Sequence, residues 1–136
     1  MDVLSSRLML HPIKPIEAQR IIDGSGRANG EEWHPEYPFV DELVPLRGLA
    51  AQIAPHPVFT LYQLRLRESG LAIGGIGFFG PPDAHGSVEV GYGLVAAERG
   101  HGYATEALLC MLDIAVNNGA QEVIADTDLD KVAGMF

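Results

Sequence analysis

Gly91-Tyr92-Gly93-Leu94-Val95-Ala96-Ala97-Glu98-Arg99-Gly100-His101-Gly102-Tyr103-Ala104-Thr105-Glu106-Ala107 runs from an alternating strand through a glycine-bearing turn into an apolar helix. A helix that starts on bare backbone leaves its first N–H groups without intrahelical partners, and its dipole adds partial positive charge there. Strand, turn and helix start, in that order, make a cradle for an anion, and a phosphate group suits it best.

Upstream of this stretch the pattern is β. Val58 to Arg67 alternates, Glu68-Ser69-Gly70 turns, and Leu71 to Phe79 returns as a hairpin partner before Pro81-Pro82 breaks the chain. Ser87 to Val95 alternates again, with Val88, Val90, Tyr92 and Leu94 on one face and Glu89, Gly91 and Gly93 on the other. Nearer the N-terminus, Arg7 to Ile13 reads as a first strand and Pro15 to Asp23 as a helix closed by Gly24. Gly24 to Pro38 reads as a loop, and Phe39 to Ile53 as a helix that Pro45 kinks or splits. Downstream, Gly102 to Asn118 is apolar on nearly all sides and reads as a buried helix, followed by a short strand at Glu122–Ala125. The order β-α-α-β-β-β-α-β implies a mixed sheet with helices on both faces, in the α/β (α+β) class.

At 136 residues the chain is expected to be one domain, residues 1–136. The longest apolar run, around Ala107 to Val116, is interrupted by Asp113, so no membrane span is expected. The first residues lack the basic and apolar regions of a secretory leader, and the single cysteine, Cys110, excludes an internal disulfide; both favour a cytoplasmic protein. A net charge of −9 argues against broad nucleic-acid binding. It favours a cationic partner such as an amine, or serves solubility alone. No histidine stands at metal-ligand spacing, so no metal is expected.

Three glycine motifs compete for the anion. Gly75-Ile76-Gly77-Phe78-Phe79-Gly80 has dinucleotide-type spacing, but Pro81-Pro82 follows where a helix must start. Gly91-Tyr92-Gly93-Leu94-Val95-Ala96 lies inside a strand, and no Gly-Lys-Ser/Thr exists for a nucleotide-triphosphate loop. Arg99-Gly100-His101-Gly102-Tyr103-Ala104 alone has the right context.

Arg99-x-x-Gly102-x-Ala104, set within Gly-Tyr-x-Leu, six residues and Gly-Tyr-Ala-Thr-Glu-Ala, closely resembles motif A of the Gcn5-related N-acetyltransferase (GNAT) family. The likeness is strongest to the branch containing the ribosomal-protein N-acetyltransferases, and the element order extends it over most of the chain. The resemblance implies a GNAT-like mixed, mostly antiparallel sheet and acetyl-CoA as cosubstrate. Backbone from Arg99, Gly100, His101, Gly102, Tyr103 and Ala104 would bind the pyrophosphate, and Leu94, Val95 and Ala96 the pantetheine arm. An N–H near Val95 would polarise the thioester carbonyl. Direct attack by a primary amine requires a base, for which Glu89 on the same strand is the candidate, acting through water. Partial desolvation within the sheet would raise its pKa; the competing reading is a sheet-face carboxylate paired with Arg or Lys. Trp33, Glu36 and Tyr37, in the loop that lines the acceptor side in this family, either hold an ammonium group or anchor the loop on the core. The His101 side chain reads as solvent-facing, and Tyr92, Tyr103 and Cys110 as packing.

The family continues past its fifth strand with Asn, a Tyr acid and two closing strands. Here Lys131 stands where many relatives carry Asn, and the later elements are missing by Phe136. A fragment, a divergent short form and a chain completed by a partner all fit, and a homodimer covering the exposed sheet edge is the expectation. The acceptor is an amine-bearing small molecule or a protein N-terminus. The alternative is a catalytically impaired coenzyme-A-binding or assembly module of the same fold, and a third reading is a nucleotide-binding protein of another class.

Overall fold

The computed structural model describes residues 1–28 and 30–125. Six strands form one sheet in sequence order: β1 (Val3–Leu4), β2 (Leu8–Pro12), β3 (Leu61–Leu66), β4 (Ala72–Phe78), β5 (Ser87–Leu94) and β6 (Glu122–Ala125). All neighbours are antiparallel except β5 and β6, which are parallel because helix α4 (Tyr103–Asn117) carries the chain across between them. Three further helices, α1 (Pro15–Asp23), α2 (Ser25–Ala28) and α3 (Leu43–Ala50), lie between β2 and β3. This is the mixed, mostly antiparallel sheet that the sequence implies.

Local chemistry sets the helix ends. Pro15 opens α1, the Glu17 carboxylate reaches back to the Lys14 N–H at 2.9 Å, and Gly24 closes the helix in the left-handed conformation at φ 77°. A 3-10 turn at Val40–Glu42 leads into α3. Pro45 is the third residue of α3, where its missing N–H has no intrahelical duty, so it neither kinks nor splits the helix. The expected helix over Phe39–Ile53 is instead divided before Leu43, two residues ahead of Pro45, into the 3-10 turn and α3.

Helices cover both faces. Val88 and Val90 are buried while Glu89 between them is exposed, which puts α4 on the valine face, where it contacts β5 and β2. α1 packs on α3, and the 3-10 turn reaches β5 from the glycine face. One expectation fails for α4: Ala107, Leu108, Met111 and Ala115 are buried, but Leu109 and Val116 point to solvent. The two-residue strand β1 and the one-turn helix α2 were not expected, because neither is long enough to show a period. Asp126 to Phe136, including Lys131, lie outside the described residues. Among those described, no helix is long and apolar enough to cross a membrane.

Candidate active site

The cradle at the start of α4 is built from glycine backbone. Gly100 (φ 82°) and Gly102 (φ 81°) adopt the left-handed region, and Gly102 is the residue that caps α4. A Cβ at Gly100 would meet nothing within 4 Å, so a ligand can approach that turn closely. Glu106 N–H is the first to bond back into the helix, to the Gly102 carbonyl at 3.1 Å. The N–H groups of Tyr103, Ala104 and Thr105, one turn earlier, are those a helix leaves for an outside acceptor.

A cation from the far end of the chain joins this turn. β2 begins at the same end of the sheet where β5 finishes, so Arg7 lies beside the cradle. Its guanidinium donates to Glu106 Oε1 at 2.7 Å and to the His101 carbonyl at 2.8 Å, and lies 4.5 Å from the centre of the Tyr103 ring. Ser5 donates to the other Glu106 oxygen. Partial burial acts to raise the Glu106 carboxyl; the bonds from Ser5 and Arg7 outweigh it and hold the group below its ordinary range.

Register decides which backbone groups of β5 are available. Phe79 N–H bonds the Glu89 carbonyl and Val95 N–H bonds the Ile73 carbonyl, both at 2.9 Å, so odd-numbered residues of β5 face β4. Even-numbered residues face β6. Pairing with β6 covers Ser87–Val90 among the described residues, and the Tyr92 and Leu94 groups point to that same side beyond the last described residue of β6. Of the stretch in which the oxyanion donor is expected, the Val95 amide itself is bonded inside the sheet, whereas the N–H groups of Leu94 and, one pair earlier, Tyr92 point away from β4. Arg99 turns its side chain back into the same region. Its Nε donates to the Leu94 carbonyl at 3.1 Å and its guanidinium lies 4.9 Å from the Phe39 ring centre.

On the glycine face the same strand floors a cavity of about 230 Å³, with Gly75 and Gly77 of β4, Gly91, Tyr92 and Gly93 of β5, and Phe39, Glu42 and Tyr37 among its walls. Missing side chains make the room: a Cβ at Gly93 would stand 3.0 Å from Phe39, and one at Gly75 3.1 Å from a Glu42 carboxylate oxygen. Burial, with the Glu42 charge adding to it, pushes the Tyr37 phenol far above its ordinary range, so it stays protonated; it accepts a bond from Gln63 Nε2 at 3.2 Å.

A family model described as an acetyltransferase (GNAT) domain matches residues 7–133, nearly the whole chain. The chain belongs to the GNAT acetyltransferases. Acetyl-CoA is accordingly its acyl donor, and the bare-backbone turn at Gly100 and Gly102 leaves room for an anion at the start of α4. Solved structures share the fold. A GNAT acetyltransferase from Bacillus anthracis is 16% identical, with a TM-score of 0.62 over 98% of this chain and 77% of that one. A ribosomal-protein-S5-alanine acetyltransferase from Vibrio fischeri is 16% identical, with a TM-score of 0.58 over 92% and 73%. AAC(6')-Iy, in complex with the bisubstrate analogue CoA-S-monomethyl-acetylneamine, is 15% identical, with a TM-score of 0.53 over 96% and 91%. No match was found among curated protein sequences.

Within this GNAT frame the expected residues separate. Gly100, His101, Gly102, Tyr103 and Ala104 lie at the cradle as a group, with the His101 side chain exposed. The Arg99 N–H is taken by the Ala96 carbonyl at 3.2 Å, which leaves its guanidinium as the contributing group. Tyr37 lines the cavity. Trp33 does not: it is buried, bridges to Ala72, and meets Tyr37 edge-on at 5.4 Å, as an anchor of its loop. Glu36 is exposed and accepts from the Ala97 N–H at 3.3 Å, which ties it to the donor turn.

Glu89 is exposed and does not line the cavity, so the desolvation expected for it is absent. Strand rise places it about 10 Å from Tyr92 and about 17 Å from Leu94, several waters from either. Two residues of the site escaped the sequence reading. Arg7 carries no local motif, and Glu42 follows Asp41 in an unremarkable acidic pair; only tertiary contact gives either a meaning. Among the described residues no group of His, Cys, Asp or Glu could hold a metal ion.

Proposed function

We propose that this GNAT acetyltransferase moves the acetyl group of acetyl-CoA to a primary amine by direct attack on the thioester, with no acyl-enzyme. In this reading the cradle from Gly100 to Ala104, reinforced by Arg7, binds the diphosphate. The arm runs along the β5 edge at Leu94 and Ala96, and an N–H of Tyr92 or Leu94 steadies the developing oxyanion. The amine enters from the glycine-face cavity. One observation carries the proposal: Tyr92 lines the cavity between Gly91 and Gly93, while the parity of β5 turns the Tyr92 and Leu94 N–H groups away from β4, which supports donor and acceptor meeting at one backbone segment.

What supports direct transfer is that, among the described residues, no Ser, Cys or Thr lines the cavity, and Cys110 belongs to α4. Transfer assays with acetyl-CoA and a panel of small amines and peptides test the reading through release of free thiol. Binding of acetyl-CoA without turnover on any amine would support instead a binding or assembly module of the same fold. A homodimer over the β6 edge remains part of the proposal, supported by the half-exposed Ile124 there, and sedimentation as a monomer overturns that part.

A further inference from the structure

We infer that the acceptor is a primary amine carrying an aryl tail, and that the tail lodges in a second cavity next to the first. The inference rests on the acetyl-transfer reading above and adds the acceptor's chemical class and the residues that select it.

Continuity is the first argument. A second cavity, of about 400 Å³, lies between α3, the start of β3 and the end of β4. It shares Pro45, Leu61 and Phe79 with the glycine-face cavity, so the two lie on either side of those side chains. Leu61, Gly77 and Gly91 are partners in one row across β3, β4 and β5. The Leu61 side chain rests over Gly77 and the Phe79 ring over Gly91, where a Cβ on either glycine would overlap them. Phe79 is 54% exposed and Leu61 part-buried, so both can turn aside on a floor without side chains. From Gly93, beside the amides where transfer is proposed, Leu61 is two residues along β5 and two strands across, about 12 Å away.

Room is the second. Pro45, Gly48 and Leu49 line the second cavity at helical spacing, which sets Gly48 on the face of α3 turned towards it. Glycine is a poor helix former, and packing does not call for it here: among the described residues, a Cβ at Gly48 would meet nothing within 4 Å. An occupant of the cavity accounts for a residue that keeps this face of the helix bare.

The lining is the third. His56 Nδ1 accepts from the Val58 and Phe59 N–H groups, both at 3.0 Å, which fixes its ring as a wall. The rings of His56, Phe59 and Phe78 follow one another at 5.1 Å and 5.0 Å between centres, and a phenyl group entering there extends the series. Among the described residues no Asp, Glu, Lys or Arg lines this cavity, so it suits a neutral tail. The passage past Leu61 and Phe79 is apolar, and a hydrocarbon linker suits it better than peptide groups, whose N–H and C=O would pass unpaired.

Calorimetric titration of the full chain without acetyl-CoA tests this, using two pairs of amines: hexylamine with phenylhexylamine, whose phenyl sits at the far end of the chain, and ethylamine with phenethylamine. Wild type is expected to bind phenylhexylamine at least about tenfold more tightly than hexylamine. On the two-carbon linker, too short to pass Leu61, the gain from the phenyl group is expected to be at least about threefold smaller. Gly48→Phe, which plants a ring in the cavity from α3, is expected to erase the gain on the six-carbon linker, whereas Gly48→Ala keeps it. Thermal stabilisation of Gly48→Phe by acetyl-CoA, equal to that of wild type, shows that the variant is folded. In the transfer assay the preference for phenylhexylamine is expected in KM more than in kcat. Equal phenyl gains on both linkers in wild type, or a gain that folded Gly48→Phe retains, overturns the inference. The wild-type series decides even if the variant does not fold. If no amine releases thiol from acetyl-CoA, while the six-carbon gain and its loss in Gly48→Phe are present, the acetyl-transfer reading fails and the aryl site stands.

Discussion

Replacing Gly102 separates backbone strain from ligand binding at the cradle. Gly102 caps α4 at φ 81°, where an L-residue costs about 1–2 kcal/mol. Space is not the obstacle, since the nearest atom to a new Cβ is an Arg7 nitrogen at an ordinary 3.4 Å. For 136 residues the unfolding entropy is about 0.29 kcal/mol per degree, so Gly102→Ala is expected to lower Tm by about 3–7 °C. Acetyl-CoA at about 100 times its Kd adds about 2.7 kcal/mol, a shift of about 9 °C by the same conversion. Gly102→Ala is expected to keep most of that shift from its lower baseline. Gly102→Glu carries the same strain but sets a carboxylate where the diphosphate sits, and is expected to lose the shift. Scanning fluorimetry with and without acetyl-CoA reads both quantities in one experiment. A Gly102→Glu protein that melts low yet shows the full ligand shift refutes the placement of the diphosphate at this turn.

Other outcomes follow from neighbouring contacts. Arg7→Ala removes a half-exposed ion pair and is expected to change stability by less than about 1 kcal/mol, yet to weaken acetyl-CoA severalfold at low salt and less at high salt; calorimetry showing no salt-dependent difference refutes the role of Arg7. Gly74→Ala and Gly91→Ala should differ sharply in denaturant titrations. The first drives a Cβ onto the Gly93 carbonyl and Leu94 backbone and is expected to cost about 2–3 kcal/mol, whereas the second meets only the exposed Phe79 ring, which can swing aside, at under about 1 kcal/mol; equal costs would contradict the packing described. The bond from Glu17 raises the His11 pKa above 6.5, burial opposes it, and Asp2 adds to the rise. That stabilisation is complete below pH 6.5 and is lost as pH climbs through the raised value, so the Tm gap between wild type and His11→Gln should be wider at about pH 6 than at about pH 8.5; a constant gap counts against it.

Much of the frame was legible because its signals are local. Ser87–Leu94 alternates residue by residue with one face buried, and Glu122–Ala125 follows a helix closed by Asn118-Gly119; both strands fall where the sequence puts them. The cradle was legible too, since its glycines and its helix are contiguous. Glu42 and Arg7 were not. Glu42 reads as one of two acids in an amphipathic run until β4 and β5, 33 and 51 residues away at Gly75 and Gly93, are folded beneath it. Arg7 gains its place only when β2 docks beside the end of β5. Burial of α4 was overestimated because Leu109 and Val116 are apolar without facing the sheet, and composition carries no direction. Which amide near Val95 is turned away from β4 was not legible for a related reason: hydrogen-bond parity along β5 depends on its pairing with β4, which no single strand reveals.

The tie from Ser5 and Arg7 to Glu106 has a practical consequence for handling the protein. β1 runs antiparallel to β2, with Leu4 opposite Met9 and Val3 opposite Leu10, so from Ser5 back to Met1 the chain leads away from the donor mouth. A polyhistidine leader fused at Met1 would start about 14 Å of extended chain from Ser5, on the far side of the sheet edge from the cradle, and affinity for the donor can be measured with such a leader in place.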